Sequence, residues 1–262
     1  MTSYMLTYKV RRSPAPIDGS VLRPDALCLL SREAIAATPL PIGRTLVPLG
    51  DIFTIVAAAG NDSLHVCDAP PLDRFGVNMK SGNLVIHGNA GDDLGASMTG
   101  GLIRVEGSAG HRVGGPAVTS KRGMTGGEIL IAGNAGDYAG FLMRRGLIAI
   151  AGRTGKSPGY RMLAGTIVLG SPCAEHPGLE MQRGTIIGCD KVQVPASFSA
   201  GGDIAASAMP AMLMVLRRLR SLGWRCEAGP FAKSSDVASG AWRLWSGDRL
   251  TLNKGEVLAW LS

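Results

Sequence analysis

Met143-Arg144-Arg145-Gly146-Leu147-Ile148-Ala149-Ile150-Ala151-Gly152-Arg153-Thr154-Gly155-Lys156-Ser157-Pro158-Gly159-Tyr160-Arg161-Met162 runs from one methionine to the next in 19 positions. The same spacing recurs on either side of it. Methionines stand at Met79, Met98, Met124, Met143, Met162 and Met181, with gaps of 19, 26, 19, 19 and 19. Three positions after each comes a glycine: Gly82, Gly101, Gly127, Gly146, Gly165 and Gly184. Two further on sits an aliphatic column of Leu84, Ile103, Ile129, Ile148, Ile167 and Ile186, and two beyond that another of Ile86, Val105, Ile131, Ile150 and Leu169. Self-similarity at a fixed short period is the signature of a repeat architecture.

Alternate aliphatics make the first half of each unit a short strand with one face inward. The second half reads Gly-x-x-Gly-x-x-x-Gly, as in Gly88…Gly91…Gly95, Gly107…Gly110…Gly114, Gly133…Gly136…Gly140 and Gly152…Gly155…Gly159. Glycines at fixed offsets supply tight corners. A 19-residue unit has no room for a helix, so the spacing predicts an all-β chain, a right-handed parallel β-helix of Gly-rich coils stacked about 4.8 Å apart. In that arrangement the methionines form an internal ladder at one corner. The residue between the two inward aliphatics faces out, yet it is Val85, Leu130, Ala149, Val168 and Ile187, with Arg104 the polar exception. An apolar outer row of this kind requires a cover, either another subunit or the chain's own ends.

The flanks differ in kind. Residues 1–50 form a Pro-rich N-terminal extension or cap with a helix start at Ser31. The repeat domain spans 51–200, with an insertion at 115–122 where the methionine gap widens, and a weaker unit around Asp62 to Val66 precedes Met79. Residues 201–262 hold an amphipathic helix from Met209 to Leu222, ended by Gly223, and a Trp-containing tail.

With 45% hydrophobic and 18% charged residues in 262, the composition excludes a disordered chain. Glycine is in excess, at 37 residues. The N-terminus reaches Lys9 before an apolar stretch long enough for an export signal, and Met209–Leu216 runs into Arg217, too short for a membrane span. Five scattered cysteines without a C-x-x-C pair read as reduced thiols of a cytoplasmic protein.

Most motif-like stretches are explained by the repeat itself. Gly152-Arg153-Thr154-Gly155-Lys156-Ser157 imitates the end of a phosphate-binding loop, but Ile150 occupies the position of the missing glycine. His65, His87, His111 and His176 lack metal-ligand spacing, so no metal site is expected. No Gly-x-Ser-x-Gly elbow is present, and the outward column Asp92, His111, Asp137, Lys156 and Glu175 reads as a solvated or partner-binding edge. No catalytic residue is expected. The balance of 27 basic against 20 acidic residues, +7, points instead to an anionic partner. Lys80, Lys121, Arg122, Arg144, Arg145, Arg161 and Arg183 all lie within three positions of a repeat methionine. Stacked repeats would align them as a stripe of roughly 20 to 25 Å, suited to an extended polyanion. Nucleic acid is disfavoured, because no aromatics interleave with a basic patch.

The tandem Gly-x-x-Gly-x-x-x-Gly units resemble the β-helical domain shared by the glutamate synthase large subunit and the C-type subunit of formylmethanofuran dehydrogenases. The flanks Leu22-Arg23-Pro24-Asp25, Leu49-Gly50-Asp51-Ile52-Phe53, Arg122-Gly123-Met124, Gly247-Asp248 and Gly255-Glu256-Val257-Leu258 are similar to the second. Relatives of that subunit in methylotrophic bacteria belong to a formyltransferase/hydrolase complex. The resemblance implies a non-catalytic scaffold, partnered by an amidohydrolase-like subunit, a formyltransferase subunit and a further structural subunit. It implies transfer of a formyl group from formyl-tetrahydromethanopterin to a methanofuran-type carrier and its hydrolysis to formate, with no cofactor held by this chain. Because such carriers bear glutamyl chains, the basic stripe becomes the expected seat of that chain. The alternatives are the C-type subunit of an archaeal tungsten or molybdenum formylmethanofuran dehydrogenase and a glutamate-synthase-type subunit; for the latter, no N-terminal nucleophilic Cys is present.

Overall fold

Each pair of alternate aliphatics in the repeat builds one strand, and those strands pair in parallel with their neighbours in sequence. The computed structural model describes residues 2–10, 16–173, 175–231 and 240–261; Arg11, Arg12 and the tail segment 232–239 lie outside the described residues. The strands are β1 (Ser3–Tyr8), β2 (Pro39–Ile42), β3 (Thr45–Pro48), β4 (Phe53–Ala58), β5 (Ser63–Cys67), β6 (Asn83–His87) and β7 (Leu102–Val105). They continue with β8 (Thr125–Ile131), β9 (Arg145–Ile150), β10 (Thr166–Leu169), β11 (Arg183–Gly188), β12 (Ser199–Ala205), β13 (Ala241–Gly247) and β14 (Lys254–Trp260). Four α-helices accompany them among the described residues: α1 (Pro24–Leu27), α2 (Arg32–Ala37), α3 (Leu49–Ile52) and α4 (Pro210–Ser221).

The expected all-β parallel β-helix is corrected by this topology. Twelve strands form one large mixed sheet in the order β12-β13-β14-β11-β10-β9-β8-β7-β6-β5-β1-β4, and β2 with β3 makes a separate hairpin. The centre is parallel, but β4 with β1, β14 with β13 and β13 with β12 are antiparallel. The physical reason lies in the glycine half of each repeat. It closes as a turn, with Tyr138, Gly140, Leu142 and Gly146 at positive φ in a single unit. Across units its β-bridges are single-residue ones along Ala109, Ala135, Thr154 and Cys173, beside turn-to-turn backbone hydrogen bonds such as Gly110 to the Gly91 carbonyl. One strand per repeat is what remains. The chain also carries a 12-residue helix, so it is not all-β.

On the inner face, Leu64, Leu84, Ile103, Ile129, Ile148, Ile167, Ile186 and Val257 stand in register across eight strands and are buried. The six repeat methionines are fully buried beside them. Two polar ladders bind the turns together. Asp73, Asp92, His111 and Asp137 each accept, through a side-chain atom, the backbone N–H of the residue at the same position in the next repeat, at 2.7–3.0 Å. Asn89, Ser108 and Asn134 do the same at 2.8–3.0 Å. Most of the column expected as a solvated edge therefore satisfies backbone donors.

The outer face is covered by the chain's own C-terminal part. Leu130, Leu147, Ala149, Val168, Ile187 and Leu258 pack against Met212, Leu213, Leu216 and Leu219 of α4, with Trp224, Phe231 and Trp242 completing the layer. Burying each of those leucines contributes about 2 kcal/mol. Polar contacts fix the orientation: the Arg218 guanidinium grips Glu128 in a two-point pair at 2.9 Å, and Trp224 Nε1 donates to the Ile131 carbonyl at 3.3 Å. Arg104, the polar member of the outer row, donates to the Leu222 carbonyl at 2.6 Å. No helix among the described residues is long and apolar enough to cross a membrane.

Candidate functional site

The corner that follows each methionine is set by one repeated backbone bond. The residue after the methionine donates its N–H to the carbonyl of the previous repeat's methionine, as Thr99 does to Met79, Thr125 to Met98, Arg144 to Met124, Leu163 to Met143 and Gln182 to Met162, at 2.7–2.9 Å. The chain therefore presents columns of equivalent side chains at the N-terminal ends of β6 to β11. The first column reads Lys80, Thr99, Thr125, Arg144, Leu163 and Gln182; the second reads Ser81, Gly100, Gly126, Arg145, Ala164 and Arg183.

All seven basic residues expected to form a stripe are exposed; Lys80, Arg144, Arg145 and Arg183 lie at this corner, and Lys121, Arg122 and Arg161 in the turns that precede a methionine. They do not share one column. Arg144 and Arg145 stand side by side at the start of β9. Arg183 lies two strands away, about 10 Å at the usual strand spacing, and the row extends to Lys254, which pairs with Arg183 in the ladder. Lys121 and Arg122 end the inserted loop, whose Gly123 donates to the Leu142 carbonyl in the same turn as Arg144. Arg161 occupies a third column, where its guanidinium is 3.4 Å from Glu180. Lys80 is set apart by Thr99 and Thr125, three strands or about 14 Å from Arg144. Apart from Arg161, none of the seven has an acidic partner within ion-pair distance among the described residues. Their charge is left to solvent or to an anion.

Beside the cationic cluster lies a cleft that the basic pattern alone does not reveal. Two columns line it: Arg112, Tyr138 and Ser157 on one side, Phe141, Tyr160 and Leu179 on the other, enclosing about 330 Å³. The Phe141 and Tyr160 rings stack with centroids 5.6 Å apart and planes at 12°, and Tyr138 lies 5.8 Å from Tyr160. Arg112 is held by Asp93 through two bonds of 2.7 and 2.9 Å and by Asp92 at 3.3 Å. The hydrogen bonds to Asp93 raise its pKa further above the ordinary range. The signal for this cleft is in the sequence: between Gly76 and Asp190 the only aromatic side chains of Phe, Tyr or Trp type are these three.

The remaining polar groups serve the fold. In the phosphate-loop look-alike, Gly152 and Gly155 donate to the Gly133 and Ala135 carbonyls, and Lys156 donates its N–H to Asp137. On the outer face His65 Nδ1 and His87 Nε2 are 3.1 Å apart in a stacked pair, with Glu106 3.0 Å from His87 Nδ1. Burial and then His87 hold the His65 pKa below its ordinary value. No group of three or more His, Cys, Asp or Glu among the described residues is arranged to hold a metal ion.

No family model matches the chain, and no curated protein matches it. Among solved structures it is similar to a chain in the crystal structure of the formyltransferase/hydrolase complex (FhcABCD) from Methylorubrum extorquens in complex with methylofuran. The two are 30% identical over 98% of this chain and 100% of that one, with a TM-score of 0.77.

Proposed function

This chain belongs to the family of the formyltransferase/hydrolase complex subunits, and from that premise we propose that it is the C-type, structural subunit of such a complex. In this reading it performs no chemistry itself and binds no cofactor. It holds an amidohydrolase-like subunit, a formyltransferase subunit and a further structural subunit in one cytoplasmic assembly. That assembly moves a formyl group from formyl-tetrahydromethanopterin to a methanofuran-type carrier and releases it as formate. The observation that carries the reading is the likeness, along the whole length and at 30% identity, to a chain of that complex.

The chain's own contribution to carrier handling is the basic corner. A γ-linked glutamyl chain offers one carboxylate per unit, and with five main-chain bonds per unit against three in an ordinary peptide it spans about 6 Å per unit when extended. The roughly 10 Å from Arg145 to Arg183 therefore corresponds to about two units. Guanidinium groups pair with carboxylates through two parallel hydrogen bonds, so Arg144, Arg145 and Arg183, with Lys121, Arg122, Arg161 and Lys80 at the flanks, are the residues suited to hold it.

Mild affinity purification of the native protein, with mass spectrometry of what co-elutes and metal analysis, tests the assignment. Co-elution of amidohydrolase-like and formyltransferase subunits without tungsten or molybdenum is the expected result. Recovery of tungsten or molybdenum with an iron–sulfur partner would move the chain to a dehydrogenase. A lone, monodisperse chain would overturn the scaffold role.

A further inference from the structure

We propose that the cleft formed by Tyr138, Phe141 and Tyr160 is a ring-binding subsite, which seats a planar aromatic or furan-type ring of the same acidic carrier whose glutamyl chain lies along the basic corner. This rests on the carrier-binding reading above, and the experiment below distinguishes the failure of the one from the failure of the other.

The core does not need these rings. The interior of the repeat is filled by methionine and branched aliphatics, all fully buried. Tyr138, by contrast, is 41% exposed, and its hydroxyl has no hydrogen-bond partner among the described residues. Aromatic side chains placed side by side at a surface, with a face left open, are suited to receive another ring by stacking or edge contact. About 330 Å³ of open space sits at the small end of ligand sites and matches one substituted ring.

The polarity of the cleft selects the same ligand. Arg112 forms one wall, but Asp92 and Asp93 neutralise its charge, so the cleft itself does not call for an anion. One donor of that guanidinium, Nη1, is without a partner among the described residues and can meet a ring substituent. The uncompensated cations stand just outside. Phe141 and Arg144 belong to one turn, three residues apart, and Arg145 follows directly. A ligand with a neutral ring at one end and a string of carboxylates leading away would meet each feature in order. Methylofuran, present in the similar complex, carries a furan ring by name.

The test compares two probes on the full chain and on the assembled complex: methylofuran, and poly-γ-glutamate of matching length with no ring. Tyr138→Ala, at an exposed position, should weaken methylofuran binding about twofold to tenfold, the range of an aromatic pair, and leave poly-γ-glutamate binding unchanged. Met214→Ala, an exposed change on α4 away from the cleft, should leave binding of both probes unchanged. If Tyr138→Ala leaves methylofuran affinity intact while Arg144→Glu with Arg145→Glu lowers binding of both probes, the ring subsite is overturned and the carrier reading stands. If wild type binds neither probe, both are overturned. If Tyr138→Ala releases another subunit of the complex without changing carrier affinity, the cleft is a docking seat for that subunit, and the ring proposal is overturned.

Discussion

The pairing of methionine with glycine explains why both residues recur at a fixed offset. A Cβ added at Gly101, Gly127, Gly146, Gly165 or Gly184 would stand 2.6–2.8 Å from the terminal methyl of the preceding repeat's methionine: Met79, Met98, Met124, Met143 and Met162 respectively. Each methionine therefore lies over the backbone of the next layer at a place that lacks a side chain. Gly146→Ala tests this at a site where moving the methionine aside would not by itself make room. The new Cβ would also meet the Gly127 carbonyl oxygen at 2.6 Å, and the backbone φ of +105° is unfavourable for any L side chain. Strain and overpacking together predict a loss of about 2–4 kcal/mol in chemical denaturation. Gly202→Ala, where nothing lies within 4 Å and φ is ordinary, should change stability by less than about 0.5 kcal/mol. Equal effects at the two glycines would reject the interlock.

At the scale of elements, α4 converts an exposed apolar sheet face into a second core. Leu216 is fully buried between α4 and the sheet, whereas Met214 on the same helix is 71% exposed. Leu216→Ala should cost about 2–4 kcal/mol and should hasten proteolysis of the C-terminal part before the repeat strands are cut. Met214→Ala should lie within about 0.5 kcal/mol of wild type. Much of this layer is legible in sequence. The row Leu130, Ala149, Val168 and Ile187 demands a cover, and the helix ended by Gly223 is marked by its amphipathic pattern. The strands are legible as well, because alternation at Leu84/Ile86 or Ile148/Ile150 has only one period to read. The sheet architecture is not. The glycine half of each repeat looks the same in sequence whether it holds more strand or only turn, and what separates the two is backbone conformation, as at Tyr138 and Leu142, both at positive φ. The antiparallel ends are hidden for another reason: β1 inserts between β4 and β5 through partners about 50 to 60 residues away in sequence. At the site, basic residues can be counted from sequence but not sorted. Only the stacked register shows that Lys80 stands apart and that Arg161 faces Glu180.

For the molecule as a whole, a surplus of seven positive charges matters less than its placement. Arg144, Arg145, Arg183 and Lys254 stand along one edge of the sheet, while the basic residues of α4 lie over the outer face. Cations about 10 Å apart act together on a polyanion only where the screening length reaches that distance, about 10 Å at 0.1 M salt and about 3 Å at 1 M. Binding of poly-γ-glutamate should therefore weaken steadily as ionic strength rises over that range. Reversing Arg144 and Arg145 to Glu removes two exposed ion pairs, each worth up to about 1 kcal/mol, and adds repulsion. At low salt this predicts a loss of about tenfold or more in affinity, together with a shallower salt dependence, since fewer pairs remain to be screened. Arg217→Glu, an exposed single charge reversal on α4, is the control and should leave both quantities near wild type. Salt titrations of the three proteins by fluorescence anisotropy separate the possibilities. Parallel curves for wild type and the double reversal would remove the strand-start corner from polyanion binding. A free-energy loss for Arg217→Glu about half that of the double reversal, in proportion to the charge removed, would show that net charge alone attracts the chain, with no geometric site.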